Sequence, residues 1–298
     1  MVSNNYIWLG FFRIAVSLFC ISQFVAAIQD YDLIFSENSI LLPEITSAES
    51  SRYILTIYKI YTTKVISYYL TYNQVLTILA FVYIISLVFV LIGFKTKINA
   101  LIALFMHYLF INSYSNFTYG VDYYVSICLF YIFIFNSGKF FSLDSGFMTD
   151  NKNELSYNSF CLLIIKIHLS ISYFFSGFDK LVGFNWRNGE SIWKALHLAD
   201  NPITALNINA IHNPLLFTIL GWSVVLIEIF YFIGINWKKT RNLWLILICG
   251  LHLGIGIFLG LHFFAVFMII FNFCIYFIPT LKIEKTEWYF FNNHRNIL

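Results

Sequence analysis

Lys180 follows Asp179 in the stretch YFFSGFDKLVGFNWRNGESIW, where an apolar segment gives way to a turn rich in Trp and Gly. A lysine drawn partly out of water gives up its proton more readily, and the resulting amine is a usable base or nucleophile, so a lysine at such a boundary could carry proton-transfer chemistry. The same residue types also make an interfacial Lys–Asp pair inside an aromatic belt of Phe184, Trp186 and Trp193, and residue types alone favour that belt. Two further ionisable residues sit deep in apolar runs: Glu228 in VVLIEIFYF, and His252 in CGLHLGIGIF with Gly256 and Gly260 on its face. Ionisable groups inside a membrane mark functional sites or pair with one another to hold a bundle, and both readings stay open for Glu228 and His252. Asp122 in YGVDYY and Arg13 near the start of the first apolar run read as structural polar residues; Arg13 either snorkels to the interface or anchors the bundle.

His107, His197, His212 and His262 show no ligand spacing, so no metal site is expected, and without a GxSxG-like elbow a serine hydrolase is not expected either. The five Cys all fall in apolar segments, outside any CxxC, and read as small core residues.

The element that must position Lys180 is the apolar segment before it. Lys166, Ser170, Tyr173, Gly177 and Lys180 recur at helical spacing, with His168, Ser172, Ser176 and Asp179 in the adjoining row. In lipid this broad polar face turns inward, although Ser and Gly also simply permit close helix packing.

Around it, the chain of 298 residues is 59% hydrophobic and 20% aromatic with only 11% charged residues, far from the composition of a soluble domain. It reads as one all-α domain, 1–298: a polytopic membrane helix bundle whose spans need about 20 apolar residues each. The spans fall at 7–28, 74–94, 98–112, 121–135, 159–178 and 214–235, and the run 243–278, too long for one crossing, breaks into a hairpin near 260–262. That makes about eight spans. The first lacks a basic flank and a small-residue cleavage site, and is expected to be a retained helix.

In the polar interval 29–73, Arg52, Thr56, Lys59, Thr63 and Ser67 share one helical face, which suggests an amphipathic helix lying in the interface; a plain lid over the bundle is the alternative. Lys95, Lys97, Lys139, Lys152, Lys238, Lys239, Arg241, Lys282, Lys285 and Arg295 fall on one side, so both termini are expected in the cytoplasm and the 179–213 loop outside. The net charge of +3 is scattered through short loops, and a nucleic-acid partner is not expected.

Taken together, LGFFRIAVSLF, the YGVD turn, YFFSGFDKLVGFNWRNGESIW, the Glu228 span and HLGIGIFLGLHFF resemble the horizontally transferred transmembrane domain (HTTM) family, which includes vitamin K-dependent gamma-carboxylases and sporulation-delaying protein B. The specific piece is small-Gly-x-x-Lys-Leu followed by Trp-x-x-Gly, here Gly177, Lys180, Leu181, Trp186 and Gly189, with Trp193 beyond. The resemblance implies that Lys180 is the base acting on a reduced quinone, as in the carboxylases, with Asp179, Glu228 and His252 lining the same outward cavity. The carboxylases add a large soluble C-terminal domain and a His where this chain has NFTYGVD, so the all-membrane form looks more like the sporulation-delaying protein B group. That group works with a small partner protein to mature a secreted precursor peptide at the cell membrane. Three functions are therefore carried forward: peptide maturation or export, quinone-dependent oxygenation or carboxylation, and a bundle that binds lipid or hydrophobic ligands without turnover.

Overall fold

The computed structural model describes residues 7–147, 154–198 and 213–281. Among these residues the regular structure is all helical, with no strand. The chain forms two compact units, Leu9–Asp150 and a second made of Asn151–Leu298 with Met1–Trp8.

The first unit opens with α1 (Ile7–Ile28), which ends where its apolar run ends. The polar interval that follows holds four short helices, α2 (Tyr31–Ile34), α3 (Pro43–Glu49), α4 (Ile57–Tyr61) and α5 (Lys64–Tyr69). One continuous amphipathic helix is thus absent from it. The reason is local: Thr56 and Thr63, which supplied two members of the polar stripe, are the N-caps of α4 and α5, and Thr56 accepts the Lys59 N–H. A Thr at that position starts a helix rather than continuing one.

Three longer helices complete this unit: α6 (Tyr72–Ile92), α7 (Thr96–Ser113) and α8 (Gly120–Ile134). A capping box of Thr71 and Gln74 starts α6, and Gly93 at φ +71° ends it, with the Phe94 N–H returning to the Phe89 carbonyl at 2.9 Å. The N-terminus of α7 is closed from a distance, because the Asp144 carboxylate accepts the N–H groups of Lys95 (2.8 Å) and Thr96 (2.7 Å) and the Thr96 hydroxyl (2.7 Å). Asp144→Ala removes that cap and is expected to cost ~1–2 kcal/mol, read as a lower melting temperature in detergent, with Asp144→Asn losing less.

Two polar residues lock this unit. Arg13 is fully buried and donates Nη1 to the carbonyls of Val90 and Leu91 (both 2.5 Å), Nη2 to Phe140 (3.2 Å) and Phe141 (2.7 Å), and Nε to Ser137 (3.2 Å). It is an anchor inside the bundle rather than a snorkelling side chain. Asp122 accepts the Tyr119 N–H at the start of α8 (2.9 Å) and the Gln23 amide from α1 (2.7 Å). Its carbonyl takes the His107 Nε2–H (2.9 Å), which leaves His107 Nδ1 to accept from the Tyr83 hydroxyl (2.9 Å).

The second unit begins with α9 (Glu154–Val182), 29 residues long, followed by α10 (Phe184–Arg187) and α11 (Glu190–Leu198). Next come α12 (Pro214–Ile229) and α13 (Tyr231–Gly234), which split the expected 214–235 span at Phe230. Asn213 caps α12 by accepting the Leu215 N–H at 3.0 Å, with Pro214 in the first turn. Near the break, the Ile227 carbonyl accepts from Trp244 Nε1 at 3.2 Å. The last run is the expected hairpin, α14 (Arg241–Leu259) and α15 (His262–Tyr276), turned at Gly260 with φ +69°.

Five of the described helices are long and apolar enough to cross a membrane: α1, α6, the Ser156–Val182 part of α9, α14 and α15 with its extension to Thr280. Two more apolar helices, α8 and α12, are shorter. Their outward faces are apolar too: Ile246 is 69%, Phe81 66% and Leu215 66% exposed. Each such side chain would cost ~2 kcal/mol in water, and a lipid surround removes that cost. The helices fit a membrane protein in a bilayer.

Candidate functional site

In the second unit α9 carries Lys180 in its last turn, and α12 carries Glu228 near its end. Gly177 sets how closely the two helices approach: a Cβ there would stand 2.8 Å from the Ile229 nitrogen and 2.9 Å from the Glu228 Cβ. With only a hydrogen at that position, Lys180 Nζ reaches Glu228 Oε2 at 2.6 Å and Ser176 Oγ, one turn earlier on its own helix, at 2.6 Å. The Trp186 ring covers the ammonium from 5.3 Å. The Lys180 side chain keeps 18% of its exposure and the Glu228 side chain 6%.

The turn after α9 is held by two more glycines. Gly189, at φ +84°, packs so tightly on the Phe217–Thr218 backbone that no side chain would fit, and Gly221 of α12 meets the Trp186 carbonyl in the same way. Thr218 Oγ1 donates to the Asn188 carbonyl at 2.9 Å and completes the clamp. The spacing small-Gly-x-x-Lys followed by Trp-x-x-Gly thus has one geometric purpose: Ser176, Gly177, Trp186 and Gly189 bring α9, its turn and α12 together around a Lys–Glu pair.

Not every expected site residue joins it. Asp179 is exposed and on another face of α9, because neighbours in a helix point about 100° apart. Leu181 is half-buried, and Trp193 is 42% exposed and stacks on His197 with ring centroids 4.3 Å apart. His168 is half-buried on the earlier part of α9.

His252 is drawn into a second cluster on α9, buried at 2% exposure, where the Tyr173 hydroxyl lies 2.7 Å from its Nε2. Asn272 and Tyr231, which belong to no motif in the sequence, extend it: Tyr231 donates to Asn272 Oδ1 at 2.5 Å and Asn272 Nδ2 donates to Tyr173 at 2.9 Å. The Met268 carbonyl, 2.8 Å from Asn272 Nδ2, accepts only and fixes the amide orientation. The chain therefore runs one way, from Tyr231 through Asn272 and Tyr173 to His252 Nε2. That leaves a neutral His252 with its hydrogen on Nδ1, a buried atom with no hydrogen-bond partner.

Chemically, the Lys180–Glu228 pair can hold a charged or strongly polar ligand group, or pass a proton between its two members without large motion. The fit to a reduced quinone is poor. A base acting on the quinone needs a free nitrogen, whereas the Lys180 nitrogen is engaged by Glu228 and Ser176 at 2.6 Å each and covered on a further side by the Trp186 ring. No protein-family model, curated protein or solved structure matches this chain.

Proposed function

We propose that this chain is a multi-pass cell-membrane protein of the HTTM type that assists maturation or export of a secreted peptide, in the manner of the sporulation-delaying protein B group, with the Lys180–Glu228 pair as its centre. The observation that carries the reading is that pair, held at 2.6 Å, together with the service every specific motif residue but Leu181 gives to it. A lysine and a glutamate drawn out of water contribute little net stability, so building a glycine-lined seat for them points to use rather than scaffolding. Exposed Phe178, Phe184 and Trp193 around the same turn offer an apolar rim for a peptide chain.

In this reading the chain crosses the bilayer about eight times, with α7, α8 and α12 joining the five longer helices. Lys95 and Lys97, Lys139, and Lys238 to Arg241 fall in connections that alternate with the spans along the sequence so as to share one side, which supports cytoplasmic termini and an outward Lys180. Lys152, Lys282, Lys285, Arg295 and His212 lie outside the described residues. The short helices α2 to α5 run along the outer interface, where exposed Tyr53, Tyr68 and Tyr69 suit the headgroup level.

The test co-expresses this chain with a secreted peptide and a small membrane protein encoded by neighbouring genes, with and without the latter, and measures the mature peptide. Lys180→Ala is expected to lower the mature peptide at least about tenfold at normal protein level, and Lys180→Arg to lower it less. Unchanged maturation in Lys180→Ala removes the pair from the mechanism.

A further inference from the structure

About four turns before Lys180, α9 borders a groove of about 440 Å³ shared with Phe232 of α13. Its walls are aliphatic and aromatic, among them Ile167, Ile171 and Phe174, and its polar atoms come from Lys166, Ser170 and Asn236. Phe174 and Phe232 meet edge to face at 5.9 Å and form part of the apolar wall. Lys166 Nζ lies over the Tyr276 ring at 4.9 Å, and Arg241, the first residue of α14, donates Nε to the Ile235 carbonyl at 3.3 Å, next to Asn236 of the groove wall. Lys238 and Lys239 precede Arg241 in an exposed turn.

Lys166 in the groove wall and Arg241 beside its Asn236 end make a basic edge that favours an anion. Among the described residues none of the protein's own carboxylates pairs with Lys166 or Arg241: in this unit Glu228 is taken by Lys180 and Glu190 by Lys194, and Asp179 is exposed in the last turn of α9. A free anion would satisfy the charges but leave the apolar wall bare, and a neutral lipid would do the reverse. Basic pockets between membrane helices select lipids that supply both parts.

We propose that this groove is a binding site for one anionic phospholipid, its acyl chain along α9 against Phe174 and Phe232 and its phosphate at Lys166 and Arg241. The site rests on the membrane-spanning reading of the chain and is independent of the role given to Lys180.

The experiment is native mass spectrometry of the full chain purified in neutral detergent and titrated with phosphatidylglycerol or phosphatidylcholine. The expected result is one retained phosphatidylglycerol with a preference of about tenfold or more over phosphatidylcholine. Lys166→Gln combined with Arg241→Gln should abolish the preference, Lys166→Arg should keep it, and Lys238→Gln with Lys239→Gln should leave it within about twofold. Equal retention of the two lipids, or a preference that survives loss of Lys166 and Arg241 or follows Lys238 and Lys239, overturns the site. Gel filtration establishes that each variant is folded before titration. Carbonate-resistant membrane fractionation separates the two levels: a chain absent from the membrane fraction defeats the spanning reading, whereas an embedded chain without lipid preference defeats only the site.

Discussion

Replacing Arg13 with Leu is expected to lower the melting temperature of the purified protein by about 10 °C or more, or to stop it accumulating in membranes. The guanidinium supplies five hydrogen bonds to carbonyls of three segments: the end of α6, Ser137 after α8, and the Phe140–Phe141 turn. In an apolar surround each carbonyl left unsatisfied costs ~1–3 kcal/mol, so the loss far exceeds what an apolar replacement regains by packing. Val90 and Leu91 lie at the C-terminal end of α6, where a cation is favoured and where the Val90 carbonyl also takes the Gly93 N–H at 3.1 Å, so Leu91 and the loop carbonyls carry most of the loss. Arg13→Lys should fall between wild type and Arg13→Leu, because three donors on a point charge cannot serve carbonyls fanned across a planar fork. Thermal unfolding in detergent, followed by fluorescence-detected size exclusion, reads all three. An Arg13→Leu protein that melts within 2 °C of wild type would show that these carbonyls find other partners.

How far the sequence announced these features depended on whether their cause was local. The end of α1 at Ile28 and the hairpin at Gly260 follow from runs of apolar residues and one glycine, causes contained within a few residues. The break at Phe230 has no such signal, since no Pro or Gly stands there, and the Trp244 contact near it comes from another helix. In the 29–73 interval the helical spacing of Thr56 and Thr63 was a coincidence of two N-caps seven residues apart. For the site, the spacing of Tyr173, Gly177 and Lys180 marked the right helix face, but adjacency pointed to Asp179 as the partner of Lys180. The actual partner lies 48 residues away on a helix that only the Gly177 approach brings near. Asn272 was legible in principle, because an Asn within an apolar run usually hydrogen-bonds to a neighbouring helix. Asp144 was not, since a carboxylate in a loop carries no mark of the distant helix it caps.

Removing one member of the Lys180–Glu228 pair should destabilise the protein by about 3 kcal/mol, whereas removing both should cost much less. Lys180→Met leaves the Glu228 carboxylate, with 6% side-chain exposure, without its cation; Glu228→Leu leaves the ammonium with Ser176 and the Trp186 face alone. In the double variant neither charge is buried, and two apolar side chains of similar reach fill the seat against Gly177. The cycle of four proteins, melted in detergent, should therefore give a coupling energy of at least ~1.5 kcal/mol. Asp179→Asn serves as the comparison and is expected to stay within ~0.5 kcal/mol of wild type, since that carboxylate is exposed. The same four proteins separate scaffold from function: a double variant that regains stability but matures no peptide makes the charges the working part of the site. A double variant that regains both would reduce the pair to a helix clamp, and single variants as stable as wild type would mean that the 2.6 Å contact does not persist in the membrane.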